Sequence, residues 1–168
     1  MSSRAPASSF DYLLPETMPD LEWNTAHASC VLVGRSALLI RGATGSGKSR
    51  LALALVEASK RGLLPFARLV ADDRVQLAAA HGRVVARVPA PIAGKVEVRG
   101  FGIRTVDYES PALVGLVVDL GAEDAARMPE QEARYAQISG VSLPRLPVAE
   151  GESALPSVLA ALSAIAQA

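Results

Sequence analysis

The chain has 168 residues, half of them apolar, and its 17 Lys and Arg residues are balanced by 17 Asp and Glu residues. A chain with zero net charge lacks the excess of basic residues that binding to a nucleic-acid backbone requires, so we exclude a nucleic-acid partner. A single cysteine, Cys30, excludes a disulfide framework, and because no apolar run approaches the ~20 residues of a membrane span, we expect a soluble, cytoplasmic protein without a membrane partner.

Residues 1–26 are predicted to form a poorly ordered leader, because three prolines among them oppose regular structure. The remainder, residues 27–168, is predicted to be one α/β domain with few helices beside its strands. Apolar patterning predicts strands at Cys30–Val33, Ala37–Arg41, Arg68–Ala71, Val75–Leu77, Arg83–Val88 and Leu113–Leu120, and a bent strand or strand pair at Val96–Val106. Helices are predicted at Ser49–Arg61 and Leu155–Ala166, whereas Glu123–Gln137 is polar and indicates a loop or a weak helix.

The most specific motif is Gly42-Ala-Thr-Gly-Ser-Gly-Lys-Ser49, which satisfies the phosphate-loop pattern G-x-x-x-x-G-K-[ST] between a predicted strand and a predicted helix. Glycines let successive backbone N–H groups point at phosphate oxygens, and the start of the helix adds partial positive charge. Lys48 supplies an ammonium group for the β- and γ-phosphates, and the Ser49 hydroxyl is a ligand for Mg²⁺. The expected nucleotide-binding residues are Gly42, Ala43, Thr44, Gly45, Ser46, Gly47, Lys48 and Ser49.

Two places offer the carboxylates that a phosphate loop needs for a metal ion and for a nucleophile. Asp72 and Asp73 end a predicted strand, where the alternative interpretation is an Asp-rich turn without function. Glu97 and Arg99 lie two residues apart on one face of a predicted strand. They are explained either as a metal and phosphate site or, more commonly for such spacing, as an exposed surface pair.

Together these segments resemble the C-terminal catalytic domain of the bacterial HPr kinase/phosphorylase family. The resemblance begins at His27, which precedes the phosphate loop by fifteen residues, and continues through Leu39–Ser49 and Arg68–Val75. Its most specific part is Val96-Glu-Val-Arg-Gly-Phe-Gly-Ile103, which is similar to the family's pattern of Glu, a β-branched residue, Arg-Gly, an apolar residue, Gly and Ile.

The resemblance implies a fold and a chemistry. The fold is the phosphate-loop domain shared with phosphoenolpyruvate carboxykinases, in which mixed and antiparallel strands replace much of the parallel sheet. The activity is phosphorylation of a serine hydroxyl on HPr, the phosphocarrier of the sugar phosphotransferase system, with ATP and Mg²⁺. The family also catalyses the attack of inorganic phosphate on phosphoseryl-HPr, and the resemblance implies a homo-hexamer.

The resemblance also implies roles for individual residues. Asp72 is expected to be the acid/base for the seryl proton, and Arg127 to neutralise charge on the transferred phosphoryl group. The catalytic set is then His27, Lys48, Asp72 and Arg127. The expected metal ligands are Ser49, Asp73 and Glu97.

One departure from the family pattern lies near the end of the chain, where Pro147-Val-Ala-Glu-Gly-Glu152 replaces Pro-Val-x-Pro-Gly-Arg. The carboxylate of Glu152 repels bound phosphate, so kinase activity is expected to survive better than phosphorylase activity. Two other functions stay open. One is a small-molecule kinase, although neither a substrate-binding insertion nor an arginine-rich lid is visible, and the other is a nucleotide-binding regulatory module without turnover.

Overall fold

Nine of the eleven strands in the computed structural model, which describes residues 21–166, join one mixed sheet, and the other two form a separate hairpin. The strands are β1 (Asn24–Ala26), β2 (Ser29–Val33), β3 (Ser36–Arg41), β4 (Ala67–Ala71), β5 (Val75–Ala80), β6 (Arg83–Arg87), β7 (Lys95–Val98), β8 (Gly102–Thr105), β9 (Ala112–Leu120), β10 (Tyr135–Ile138) and β11 (Val141–Val148). The α-helices are α1 (Lys48–Lys60) and α2 (Ala154–Ala166). No described helix has the length and apolarity to cross a membrane.

Strand directions bring four strand ends to one edge of the main sheet. Strand β3 pairs in parallel with β9, and β9 pairs in parallel with β11. Strand β2 is antiparallel to both β3 and β4, so β4 runs in the same direction as β3. The carboxyl ends of β3, β4, β9 and β11 therefore meet at the same edge, which is where α/β sheets bind their ligands.

Both faces of the central strands are covered, which explains their continuous apolar sequences. All five residues of β2 are buried, and alternate residues join different clusters: Val31 packs with helix α1, whereas Leu32 packs with the outer strands of the sheet. The same alternation places Leu38 in the cluster that contains Val31 and helix α1, called the first cluster, and Leu39 in the cluster that contains Leu32, called the second cluster. Cys30 lies in the second cluster, and burial raises the pKa of its thiol to about 12.

Most of the predicted elements are confirmed. The hairpin of β2 and β3, the helix α1, the terminal helix α2 and the central strand β9 lie within a few residues of the predicted bounds. The segment Val96–Val106 is a strand pair, β7 with β8, that stands apart from the main sheet and packs against α1. A mixed sheet with two α-helices in the described part of the chain agrees with the expected α/β fold class.

The prediction missed three strands. Residues 24–26 of the predicted leader form β1, which pairs with β5, and residues 1–20 of that leader lie outside the described residues. Strand β10 covers the end of the segment predicted as loop or weak helix, and only a short 3₁₀-helix at Glu132–Arg134 is helical there. Strand β11 contains Pro144 and Pro147, residues that argue against a strand because they lack an N–H group.

Candidate functional site

The Gly42–Ser49 segment connects the end of β3 to the start of α1 in a backbone path that only glycine follows easily. Gly42, Gly45 and Gly47 all have positive φ angles. A Cβ atom on Gly42 would lie 2.5 Å from Ser46 Oγ and 2.9 Å from the Leu120 carbonyl oxygen, so no larger residue fits. Helix α1 has Gly47 at its N-cap and no side-chain cap, so N–H groups of its first turn are available to an anion.

Lys48 is a buried cation at the centre of this loop. Its side chain is 7% exposed, and Nζ donates hydrogen bonds to the carbonyl oxygens of Gly42 (3.0 Å) and Ala43 (2.9 Å). Within residues 21–166 no carboxylate lies within ion-pair distance of Nζ. A buried ammonium group held by carbonyl oxygens alone favours a bound anion, because the anion supplies the missing charge partner.

Asp72 follows β4 and lies next to the loop. It is 3% exposed, and the Ser49 hydroxyl lies 2.8 Å and 2.9 Å from its two carboxylate oxygens. The Ser29 hydroxyl donates a third hydrogen bond of 2.6 Å to Oδ1. The structure therefore brings Ser49, the sequence neighbour of Lys48, into contact with Asp72, and two hydroxyl groups bind the carboxylate.

The neighbouring carboxylate, Asp73, is exposed, in contrast to the buried Asp72. Asp73 has φ 66°, and the Arg74 N–H donates to the Asp72 carbonyl oxygen at 2.8 Å, which closes a tight turn. Such backbone conformations are uncommon outside glycine and often occur at functional sites. Nδ1 of His27 lies 3.1 Å from the Asp73 carbonyl oxygen and 3.2 Å from its Oδ1, so the structure places His27 beside this turn.

On the β9 side of the loop, a chain of charged groups fixes the sheet edge. Arg41 binds Asp119 through two hydrogen bonds of 2.7 Å, and Arg145 Nε donates to the same carboxylate. Burial alone would raise the pKa of Asp119, but the hydrogen bonds and charges of Arg41 and Arg145 outweigh it and lower that pKa. Arg145 also binds both carboxylate oxygens of Asp124 and the Ala133 carbonyl oxygen, so it holds the segment between β9 and β10 at two points.

A cavity of about 270 Å³ opens on the same side, between the loop and the segment that follows β11. Residues 43–46 of the loop form one wall, and the ends of β9 and β11 contribute Leu120 and Val148. Glu150 and Glu152 line the opposite side. Glu152, which the sequence placed at the position of a family arginine, therefore lies close to the loop.

The other predicted residues are not joined to this group by any contact in the described part of the chain. Glu97 is exposed on β7, and because its neighbour Val96 packs against α1, Glu97 faces away from that helix. Arg127 is exposed in the segment between β9 and β10. Residues 21–166 contain no group of three or more His, Cys, Asp or Glu side chains arranged to hold a metal ion.

The donors present nevertheless fit Mg²⁺. This cation prefers oxygen ligands and, in kinases, usually takes one or two carboxylates together with substrate phosphates. The Ser49 hydroxyl and the Asp72 carboxylate supply such oxygens next to the loop. The Ser49 hydroxyl would hold the ion beside the phosphates, and the Asp72 carboxylate lies next to that hydroxyl.

Sequence reasoning missed Ser29 and the charged chain of Arg41, Asp119 and Arg145. Ser29 is a fully buried hydroxyl in an otherwise apolar strand, and Asp119 interrupts the most apolar strand of the chain. A polar residue inside a buried apolar run must find a hydrogen-bond partner. The sequence could therefore have indicated that Ser29 and Asp119 are paired with other polar groups. The partner itself is distant in sequence and is visible only in the fold.

Comparisons with known proteins show the family of this chain. The family model described as HPr Serine kinase C-terminal domain matches residues 21–165. The HPr kinase/phosphorylase of Clostridium tetani is 36% identical over 116 residues, which are 69% of this chain and 33% of that protein. The corresponding protein of Clostridium acetobutylicum is 40% identical over 106 residues, which are 63% of this chain and 29% of that protein. The chain thus spans about a third of the length of the curated relatives it matches.

A solved structure shows the likeness of fold. The HPr(Ser) kinase/phosphatase from Coxiella burnetii superposes with a TM-score of 0.68 at 22% sequence identity. The match covers 86% of this chain and 91% of that one.

Proposed function

Because this chain belongs to the HPr serine kinase C-terminal domain family, we propose that it is an ATP-dependent kinase that phosphorylates a serine of the phosphocarrier HPr and so regulates the sugar phosphotransferase system. The fold would be the phosphoenolpyruvate carboxykinase type of phosphate-loop domain. The observation that carries the proposal is the cluster of Lys48, Ser49 and Asp72, which puts a buried cation, a hydroxyl ligand and a buried carboxylate at one edge of the sheet.

Lys48 and the backbone N–H groups of the loop would bind the triphosphate. Nζ of Lys48 already lies among carbonyl oxygens at the loop's centre, where phosphate oxygens would become its partners. The bare N-terminus of α1 adds its partial positive charge to the same place. Mg²⁺, held by the Ser49 hydroxyl, would neutralise charge on the phosphate oxygens when bound.

Asp72 is proposed as the acid/base. Two hydroxyl groups already donate hydrogen bonds to its carboxylate at 2.6–2.9 Å, and the serine of HPr would present the same chemical group. In the forward step, the seryl oxygen forms a bond to the γ-phosphorus and its proton passes to Asp72. The bond from the γ-phosphorus to the bridging oxygen breaks, and ADP leaves with that electron pair.

His27 is proposed as a catalytic residue beside Asp72, and Asp73 and Glu97 as further metal ligands. Arg127 is proposed as the arginine that neutralises charge on the transferred phosphoryl group. The hydrogen-bond distance between His27 and Asp73 supports the proposed role of His27. Arg127 belongs to the segment that Arg145 fixes, which gives its backbone a defined position. We also propose a cytoplasmic location, where ATP is available, and a hexameric assembly, which light scattering can test.

The direct test mixes the protein with ATP, Mg²⁺ and HPr and locates the phosphate by mass spectrometry. We expect one phosphoserine on HPr. If ATP binds but no phosphate is transferred to HPr, the result would instead favour a regulatory module. Transfer to a small metabolite would favour a small-molecule kinase.

We propose that the kinase direction dominates over phosphorolysis. Glu150 and Glu152 place two carboxylates on the cavity beside the loop, and they repel an incoming inorganic phosphate. Rates should be measured in both directions for the natural protein and for Glu152→Arg. We expect the substitution to raise phosphorolysis several-fold more than phosphorylation, and equal forward and reverse rates in the natural protein would contradict the proposal.

A further inference from the structure

We propose that Trp23 and Arg87 are positioning residues for His27. They hold strand β1 at its start, so that the His27 ring, which follows the end of β1, stays beside Asp73. The inference rests on the proposed function, because it takes His27 to act in phosphoryl transfer. Its consequence is that a contact across β1, β5 and β6 controls the rate of that transfer.

Strand β1 has little backbone pairing to hold it in place. It has three residues, two of them exposed, and it lies at the edge of the main sheet, where it pairs with β5 over Asn24–Ala26. Segments with few buried apolar contacts and exposed backbone hydrogen bonds open locally at low cost in free energy. A further contact at either end of β1 therefore has a large influence on where this strand lies.

Trp23, the residue before β1, makes such a contact. The Arg87 guanidinium carbon lies 3.7 Å from the centroid of the Trp23 ring, so the cation rests on the face of the indole. Arg87 belongs to β6, and its Nε donates a hydrogen bond of 2.7 Å to Gln76 Oε1 on β5, the strand in between. Thr25, Gln76 and Arg87 are cross-strand neighbours in the register of the sheet. These contacts link three strands, and the link starts at the residue before β1.

The position of His27, the residue directly after β1, depends on that strand. Its side chain is 51% exposed, and Nδ1 lies 3.1 Å from the Asp73 carbonyl oxygen and 3.2 Å from Oδ1. Ala26 pairs with Val75, so the end of β1 lies opposite the start of β5, just after Asp73. Trp23 and His27 stand on either side of a three-residue strand, and a displacement of β1 at Trp23 therefore moves the imidazole relative to Asp73.

The first experiment measures phosphoryl transfer to HPr and ATP affinity in Trp23→Ala and Arg87→Ala. We expect kcat to fall about tenfold in each variant, because a catalytic group that is no longer held in place loses its advantage of orientation. The KM for HPr and the Kd for ATP should stay nearly unchanged, since the phosphate loop is intact. Arg83→Ala is the matched control, because Arg83 is an exposed arginine of the same strand, and it should change none of these constants. An unchanged kcat in both variants would overturn the proposal.

A double-mutant cycle separates positioning from general destabilisation. Trp23→Ala is combined with His27→Ala, and kcat is measured for both single variants and for the double variant. If Trp23 acts through His27, the double variant is no slower than His27→Ala, because the ring that Trp23 positions is already absent. Effects that multiply would mean that Trp23 acts on another part of the molecule, and they would refute the proposal.

The fluorescence of the indole tests the stacking contact without any measurement of activity. Trp23 is the single tryptophan of the chain, so the emission has one source. In Arg87→Ala the indole loses its cover, and the emission should shift to longer wavelength while the circular dichroism spectrum stays unchanged. An emission that does not shift would show that Arg87 does not hold Trp23 and would overturn the proposal.

Two replacements of the indole show whether its aromatic face is responsible. Trp23→Phe keeps a π face for the Arg87 guanidinium and should recover most of the kcat that Trp23→Ala loses. Trp23→Leu is apolar without a π face and should recover much less. Equal rates for the phenylalanine and leucine variants would contradict the role of the stack.

His27→Ala distinguishes the failure of this inference from the failure of the proposed function. If the natural protein transfers no phosphate to HPr, or if His27→Ala leaves transfer unchanged, the proposed function or its assignment of His27 fails. If His27→Ala slows transfer while Trp23→Ala and Arg87→Ala do not, His27 keeps its proposed role and the positioning by Trp23 and Arg87 fails.

Discussion

Two carboxylates flank the Gly42–Ser49 loop, and their surroundings differ in kind. Among the described residues, the Asp72 carboxylate accepts hydrogen bonds from hydroxyl groups alone, whereas Asp119 binds two guanidinium groups. Within residues 21–166, no Lys, Arg or His side chain forms an ion pair with Asp72. The charge of Asp119 is already neutralised by Arg41 and Arg145. The comparison teaches that the donors differ with the role: hydroxyl groups surround the proposed reactive carboxylate, Asp72, and guanidinium groups surround the structural one, Asp119.

The largest expected effect tests the reactive side. Asp72→Asn keeps the size and hydrogen-bonding capacity of the side chain but removes its ability to take a proton. We expect phosphoryl transfer to HPr to fall about 10²–10⁴-fold, while ATP affinity changes only a few-fold. Transfer of labelled phosphate and calorimetry measure the two quantities. Asp107→Asn, at an exposed carboxylate with no proposed role in the site, is the matched control. Unchanged transfer in Asp72→Asn would show that the base lies elsewhere.

The next effect tests the structural side. Arg145→Leu leaves Asp119 with one guanidinium partner and releases Asp124 and Ala133. We expect the free energy of unfolding to fall by roughly 3 kcal/mol, because an incompletely paired carboxylate stays partly buried. Urea denaturation measures this change. Arg134→Leu removes an exposed guanidinium that donates to the Pro129 carbonyl oxygen, and its effect should be much smaller.

The pH dependence of stability sharpens the contrast. The pKa of Asp119 is lowered in the folded protein from an ordinary value of 3.8, so its stabilising contribution is complete above that value and is lost as the pH falls below it. We therefore expect the stability difference between the natural protein and Asp119→Asn to shrink steadily below about pH 4. Urea titrations between pH 3 and pH 7 measure it, and a difference that is constant over this range would contradict the ion-pair explanation.

The smallest expected effect belongs to an ion pair on the surface. Lys60 Nζ lies 2.7 Å from Glu57 Oε1 on the exposed side of α1. Water screens such pairs, and their contribution is commonly not measurable. Lys60→Ala should leave the free energy of unfolding unchanged within experimental error. A loss as large as that of Arg145→Leu would mean that burial does not explain the difference between the two pairs.

The loop and its neighbours were predictable because their signals are local. The spacing of glycines, Lys48 and Ser49 is fixed by the phosphate group that the loop serves, and the strand and helix around it follow from apolar periodicity. The position of Asp72 at a strand end was also readable. The turn at Asp73 was not predictable from the sequence. Asp73 adopts a left-handed backbone conformation, and such a conformation is usually indicated by a glycine, which is absent from this position.

The charged chain and β11 were not predictable for a different reason. Arg41, Asp119 and Arg145 come from three strands that are adjacent only because β9 pairs with both β3 and β11. Strand β11 was not predicted because it contains two prolines. The prolines are tolerated because β11 pairs with β10 over its first half and with β9 over its second half. Pairings between distant segments leave no pattern in either segment alone.

The burial of Cys30 has a practical consequence. Strand β2 lies between β3, which leads into the loop, and β4, which leads into Asp72, and it carries the chain's single sulfhydryl. An alkylating reagent can reach that sulfur only when these strands separate, whereas movements confined to the outer loops leave it untouched. The rate at which the protein gains the mass of one label therefore measures the rate at which these strands of the sheet separate.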